Sequence, residues 1–131
     1  MNERPDKAID VFIRMLEVTA DTFETHLALG SLFRRRGEVD RAIRVHQNLV
    51  ARETLSTEQR TQARLELGQD YLRAGLLDRA EGLLNELVTE PGCREQVLAM
   101  LLDIYQQERD WSRALAVAGQ MTHVDDQPVN A

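Results

Sequence analysis

The stretch Leu67-Gly68-Gln69-Asp70-Tyr71-Leu72-Arg73-Ala74-Gly75-Leu76-Leu77-Asp78-Arg79-Ala80 decides the fold, because its pattern occurs more than once. Moved back 38 residues it reads Leu29-Gly30-x-x-Phe33-x-x-x-Gly37-x-x-x-x-Ala42, and moved forward 34 it reads Leu101-Leu102-x-x-Tyr105 and ends at Ala114. A second signature closes each copy, in Asp40-Arg41-Ala42, Asp78-Arg79-Ala80 and Ser112-Arg113-Ala114, and Asp6-Lys7-Ala8 stands 34 residues before the first. A fixed period of this length means stacked supersecondary units. The chain therefore holds three units and a leading half.

Within a unit the apolar spacing is helical, as in Leu29, Leu32, Phe33 and in Val39, Ala42, Ile43, Leu49, Val50, so each unit reads as a helical hairpin. Gly37 and Gly75 fall where the first helix ends, since glycine adopts a left-handed conformation without a Cβ clash. Asp40, Asp78 and Ser112 then stand where a short polar side chain can cap the second helix. The alanine two residues on implies a close helix crossing with room for little more than a methyl. Ser56-Thr57-Glu58-Gln59 has the form of a capping box, which starts the next helix early and accounts for the longer spacing between the first two units. The expected helices are 5–18, 23–36, 39–52, 57–74, 78–89, 95–108 and 112–122, giving a half repeat at 5–18 and repeats at about 23–54, 57–90 and 95–122. The polar tail 123–131 has too little apolar content to order itself.

Composition narrows the function. Hydrophobic residues make up 43% of 131 residues, enough for a core without metal or disulfides, and the one cysteine, Cys93, cannot form an internal bridge. The longest apolar run, Val97 to Leu102, has six residues and is too short to insert in a membrane. Net charge is −6, with residues 61–131 holding six basic and twelve acidic side chains, which argues against nucleic acid as the partner. Cytoplasmic placement is the expectation.

A hairpin of about 34 residues with Leu-Gly, an aromatic three residues on, a later Gly and then Ala resembles the tetratricopeptide repeat over about residues 5–122. The resemblance implies an all-α, right-handed α-α superhelix. His26, Arg64 and Leu98 replace the usual early tryptophan, and unit three departs further with Leu102 for glycine and Arg109 at the turn. A narrower likeness lies in His26 to Gln47, which includes Arg36-Gly37-Glu38-Val39-Asp40-Arg41-Ala42-Ile43-Arg44 and His46-Gln47, followed by Leu67 to Tyr71 and Gly75 to Glu81. These runs resemble the bacterial lipopolysaccharide assembly protein B family. That resemblance implies an adaptor on the cytoplasmic face of the inner membrane, presenting the lipid A-committing deacetylase to a membrane AAA+ protease. It also implies an N-terminal anchor and a rubredoxin-like metal module outside this chain, which would then be an excised middle or a shortened relative.

No cofactor or metal is expected in the chain itself, and no enzyme activity. His26, His46 and His123 are scattered, the first two at repeat positions that suggest partly buried packing, and Cys93 beside Pro91-Gly92 reads as an incidental loop thiol. Glu81, Glu86 and Glu90 read as a solvated face. By analogy with the repeat family, the first helices line a concave surface formed by Leu27, Ser31, Arg34, Arg35, Leu65, Gln69, Leu72, Arg73, Ala99, Asp103 and Gln106, with Glu24, Gln62, Gln96 and Gln107 beside them. The leucines and Ala99 supply an apolar floor and the arginines a basic rim, suited to a protein or peptide with acidic character. Ile9, Phe12, Ile13 and Leu16 form an apolar stripe on the leading helix and are candidates for self-association into a homo-oligomer. The other readings are a generic repeat scaffold or oligomerisation module and, with least support, a non-catalytic part of a glycosyltransferase.

Overall fold

Each hairpin bends at one left-handed residue. In the computed structural model, whose backbone is described over residues 3–19 and 22–125 and whose side chains are described over 7–15 and 22–121, Gly37 has φ 85° and Gly75 φ 76°. The Gly37 N–H donates to Arg34 O at 3.0 Å and the Glu38 N–H to Phe33 O at 2.9 Å. Gly75 and Leu76 repeat the pair onto Leu72 and Tyr71 at 3.1 and 2.9 Å. These crossed bonds satisfy carbonyls left open at a helix end and turn the chain directly into the next helix. The third unit makes the same turn without glycine: Arg109 takes φ 58°, donating to Gln106 O at 3.1 Å, while Asp110 donates to Tyr105 O at 2.8 Å.

The helices are α1 (Glu3–Thr19), α2 (Phe23–Arg35), α3 (Val39–Val50), α4 (Thr57–Ala74), α5 (Leu77–Leu87), α6 (Arg94–Gln107) and α7 (Trp111–Asp125). Helix α4 opens on a complete capping box: Ser56 accepts from the Gln59 N–H at 3.1 Å and Gln59 from the Ser56 N–H at 3.0 Å. Arg60 reaches back from α4 to the carbonyls of Val50 and, at 2.9 Å, Arg52, so a cation closes the C-terminal end of α3 and fixes the longer connection.

Two local expectations need correction. Asp40 and Asp78 do not cap their helices; Glu38 and Leu76 hold the N-cap positions without side-chain bonds, because the tight turn delivers the chain into the helix two residues earlier. In unit three Asp110, not Ser112, accepts from the Arg113 N–H at 3.2 Å. Helix α7 also continues to Asp125, into the stretch expected to be unordered, since extending an existing helix fixes one residue per hydrogen bond gained. Residues 126–131 of that stretch lie outside the described residues.

Every helix packs on the next in sequence, and α2 also touches α4 as α4 touches α6, whereas among the described residues α3, α5 and α7 make no such contact with one another. The first helices therefore form an inner row and the second helices a splayed outer row, which bends the array toward the inner row. Ala42, Ala80 and Ala114 are buried at the hairpin crossings, and Leu29, Leu67 and Leu101 are buried at equivalent points of the inner row. Each buried leucine or aromatic of this kind contributes roughly 1.5–3 kcal/mol. The equivalent alanine of the leading half, Ala8, is exposed.

Candidate protein-binding surface

The inner row presents a surface whose parts come from all three hairpins. Arg34 from α2, Gln69, Leu72 and Arg73 from α4, and Asp103 from α6 together line a depression of about 300 Å³. All five are among the residues placed on the concave face from sequence. Leu65 and Leu72 are half-buried against the core, Leu27 is half-buried beside Phe23, Leu49 and Ala63, and Ala99, Gln106, Arg35 and Arg73 are exposed.

The arginines at this surface are not equivalent. Arg34 donates to Asp70 Oδ1 at 2.7 Å and lies 2.9 Å from Glu66 Oε1, and Ser31 donates to the same Glu66 oxygen at 3.0 Å. Burial opposes the charge of Arg34, but its hydrogen bonds to Asp70 and Glu66 and their negative charges outweigh that and hold its pKa above the ordinary value. Arg34 and Ser31 thus tie α2 to α4 and are not free for a partner, a correction to the place of Arg34 in the basic rim and of Ser31 among the partner-binding residues of the concave face. Among the described residues, Arg35 and Arg73 have no carboxylate partner.

Behind this surface lies a polar junction that sequence reasoning did not identify. Asp70 and His46 are both 0% exposed; His46 Nδ1 bonds Asp70 Oδ2, and His46 Nε2 faces Leu27 O at 3.3 Å. His46 is therefore a fully buried, hydrogen-bonded residue and not a partly buried packing group. A histidine beside an aspartate is an arrangement suited to proton transfer, but no face of this imidazole reaches solvent. The equivalent residues of the next seam are apolar: Leu72 for Arg34, Ile104 for Asp70 and Leu84 for His46. The available signal was His46-Gln47, which the hairpin pattern does not require.

Other residues also move from their expected places. Glu81 belongs to no solvated face: it accepts from Tyr105 Oη at 2.6 Å and from Arg113 at 3.2 Å, joining α5 to the third unit as Gln47, donating to Tyr71 Oη at 3.1 Å, joins α3 to α4. Its carboxylate comes near Asp78 and Glu108, but these bonds already occupy it. Cys93 is a core residue, 5% exposed, with its thiol directed to Leu87 O at 3.5 Å; burial first, and the charge of Glu90 second, push its pKa up. His26 Nδ1 lies 3.0 Å from Thr22 O. The described part of His123 is backbone alone.

The leading helix divides its apolar residues between two sides. Ile13 is buried and Ile9 half-buried against Leu29, Phe33 and Ala42, so these two belong to the core and not to a free stripe. Phe12 is 52% exposed and stands with Val11 and Met15 on the outer side, while the side chain of Leu16 lies outside the described residues. At the other end Trp111 and Leu115 are exposed. No described helix is long and apolar enough to cross a membrane.

Residues 27–92 match the family model described as Tetratricopeptide repeat. The repeat region is homologous to lipopolysaccharide assembly protein B: it is 49% identical to that protein of Escherichia coli (strain K12) over 118 residues, 90% of this chain and 30% of the relative. The counterpart from Haemophilus influenzae is 38% identical over 138 aligned residues, covering 99% of this chain and 35% of that protein. The chain thus spans about a third of the length of these curated relatives.

Proposed function

The chain belongs to the tetratricopeptide repeat family, and on that premise we propose that it is a non-enzymatic adaptor that holds a protein segment on its inner row of helices. The observation that carries this reading is the depression lined by Arg34, Gln69, Leu72, Arg73 and Asp103, side chains drawn from three successive hairpins to one accessible place. Leu72 gives it apolar floor, Gln69 can bond a peptide backbone, and Arg73 offers an unneutralised charge. The homology extends the proposal to a role in lipopolysaccharide assembly at the cytoplasmic face of the inner membrane. There the adaptor would bring the deacetylase that commits lipid A precursors to a membrane AAA+ protease. A rubredoxin-like metal module, if the longer protein carries one, would lie outside these residues.

Pulldown from a Gram-negative bacterial lysate tests the reading. The protease or the deacetylase should be recovered by the unaltered chain and lost with Arg35→Glu and Arg73→Glu together. Arg34 is left intact because its replacement would break the α2–α4 tie. Undiminished capture by the double variant overturns the groove as the working surface.

A second reading, an oligomerisation module, is favoured by the outward positions of Val11, Phe12 and Met15 on α1 and of Trp111 and Leu115 on α7. Light scattering over a concentration series decides it. A strictly monomeric mass throughout removes this reading.

A further inference from the structure

Where α2, α3 and α4 join, four side chains form a chain of contacts. Glu66 of α4 lies 2.9 Å from the Arg34 guanidinium, Arg34 donates to Asp70 Oδ1 at 2.7 Å, and the other Asp70 oxygen bonds His46 Nδ1. The remaining ring nitrogen of His46, Nε2, lies 3.3 Å from Leu27 O. Both nitrogens of this fully buried ring therefore face an oxygen. A neutral imidazole has one N–H and one lone pair, so either tautomer would set its lone pair against an oxygen of Asp70 or of Leu27. A ring with both protons donates at both places, and among the described residues no buried side-chain nitrogen or oxygen lacks a partner.

Charge leads to the same form. Arg34 alone leaves one of the carboxylates of Glu66 and Asp70 uncompensated, and an unpaired charge inside a protein is costly. A cationic His46 makes the row alternate in sign and sum to zero. Burial by itself opposes a charged ring, but the carboxylate of Asp70 is equally buried and gains a second counter-charge. A proton on Asp70 instead would take from Arg34 the charge it bonds. Arg34 of α2 and Asp70 and Glu66 of α4 are the charged groups facing this place, and the Tyr71 hydroxyl of α4 accepts from Gln47. The geometry points to His46 standing as an imidazolium in the folded protein, its Nε2 proton a lock between α3 and the backbone of α2 at Leu27. Loss of that proton leaves the junction net negative and sets two lone pairs against each other, so α2 loosens from α3 and α4. Leu27 and Arg34 stand on the inner row, so the lock conveys a change of pH to that surface. The charge of His46 itself does not depend on what the surface holds.

Nitrogen-15 NMR of the unaltered chain tests this, with the His46 ring signals identified by their loss in His46→Leu. At about pH 7.5 a histidine of an unfolded chain, with its ordinary value near 6.5, is mostly neutral. The folded His46 ring should then show a directly bonded proton on both nitrogens, and the same ring in urea should behave as a neutral one. Asp70→Asn, if it folds, should leave the ring with a single proton. On raising the pH until the Nε2 proton is lost, amide hydrogen exchange is compared with the unfolded-chain rate at each pH. Amides from Leu27 to Arg34 and from Glu66 to Asp70 should then exchange at least about tenfold faster, while those of α6 keep their protection. A single directly bonded proton on the folded ring at about pH 7.5 overturns the imidazolium. Proton loss that leaves α2 and α4 unchanged, or that loosens α6 equally, overturns the lock.

Discussion

Gly30 on α2 faces the imidazole of His46 on α3 with no space between them: a Cβ built on Gly30 would stand 2.5 Å from His46 Cε1. The glycine of the repeat signature is there to admit a buried ring. Gly68, its equivalent in the second hairpin, faces Leu84, whose Cδ2 would lie 3.3 Å from such a Cβ. A leucine methyl can shift, whereas this imidazole is held by Asp70.

Gly30→Ala should therefore destabilise the fold by about 1–3 kcal/mol, the range for overpacking a dense site. Gly68→Ala should cost markedly less, because relief of the helical glycine penalty, about 1 kcal/mol, offsets the crowding. Urea unfolding of the two variants checks the order, and equal losses would contradict the role given to His46.

The seam between the first two repeats predicts a non-additive pair of results. Asp70→Ala leaves Arg34 without its shortest ion pair and His46 without its carboxylate, and should cost about 3–5 kcal/mol, as for a broken buried pair. Replacing the whole set with its counterparts from the next seam, as Arg34→Leu, Asp70→Ile and His46→Leu, should recover most of that loss, since an apolar set of matching shape needs no desolvation of charge. Equilibrium denaturation of both proteins gives the comparison, and a triple variant as unstable as the single one would refute it.

Alkaline pH should loosen the third repeat through Tyr105. Burial first, then its hydrogen bond to Glu81, push the phenol from its ordinary value of 10 up to about 12. Between those values the unfolded chain has released the proton that the folded chain keeps, so stability is full below pH 10 and falls as pH rises toward 12. Tyr105→Phe should flatten this part of the stability profile relative to the unaltered chain, which denaturation at stepped pH will show.

Arg109→Gly should raise stability by about 0.5–1 kcal/mol. The turn needs φ 58° whichever residue occupies it, and glycine reaches that region without the Cβ clash. The reverse change at an equivalent turn, Gly75→Ala, should lower stability by about 1–2 kcal/mol. Melting temperatures shifting in opposite directions confirm that the turns are equivalent; parallel shifts would show that they are not.

The helices and turns were legible in the sequence because local signals specify them: Ser56 and Gln59 cap one helix, and Gly37 and Gly75 end two others. The third turn was harder to read, since Arg109 has none of the chemistry that its left-handed conformation favours. The inner surface was legible as a set of positions, and Gln69, Leu72, Arg73 and Asp103 do converge. The charge state of that surface was not, because the partners of Ser31, Arg34 and His46 lie 24 to 36 residues away on another hairpin.

By itself, then, the sequence determined the period, the hairpins, their closing turns and the face each first helix shows, all consequences of spacings within one unit. The tertiary structure decided which polar residues are spent inside the fold and which remain available to a partner. Arg34 and Arg73 stand at neighbouring points of the same surface, yet one is neutralised by Asp70 and Glu66 and the other stays exposed. The physical reason is that desolvation and pairing depend on what the stacking of separate units brings within about 3 Å, a distance at which hydrogen bonds form and which no spacing along the chain encodes.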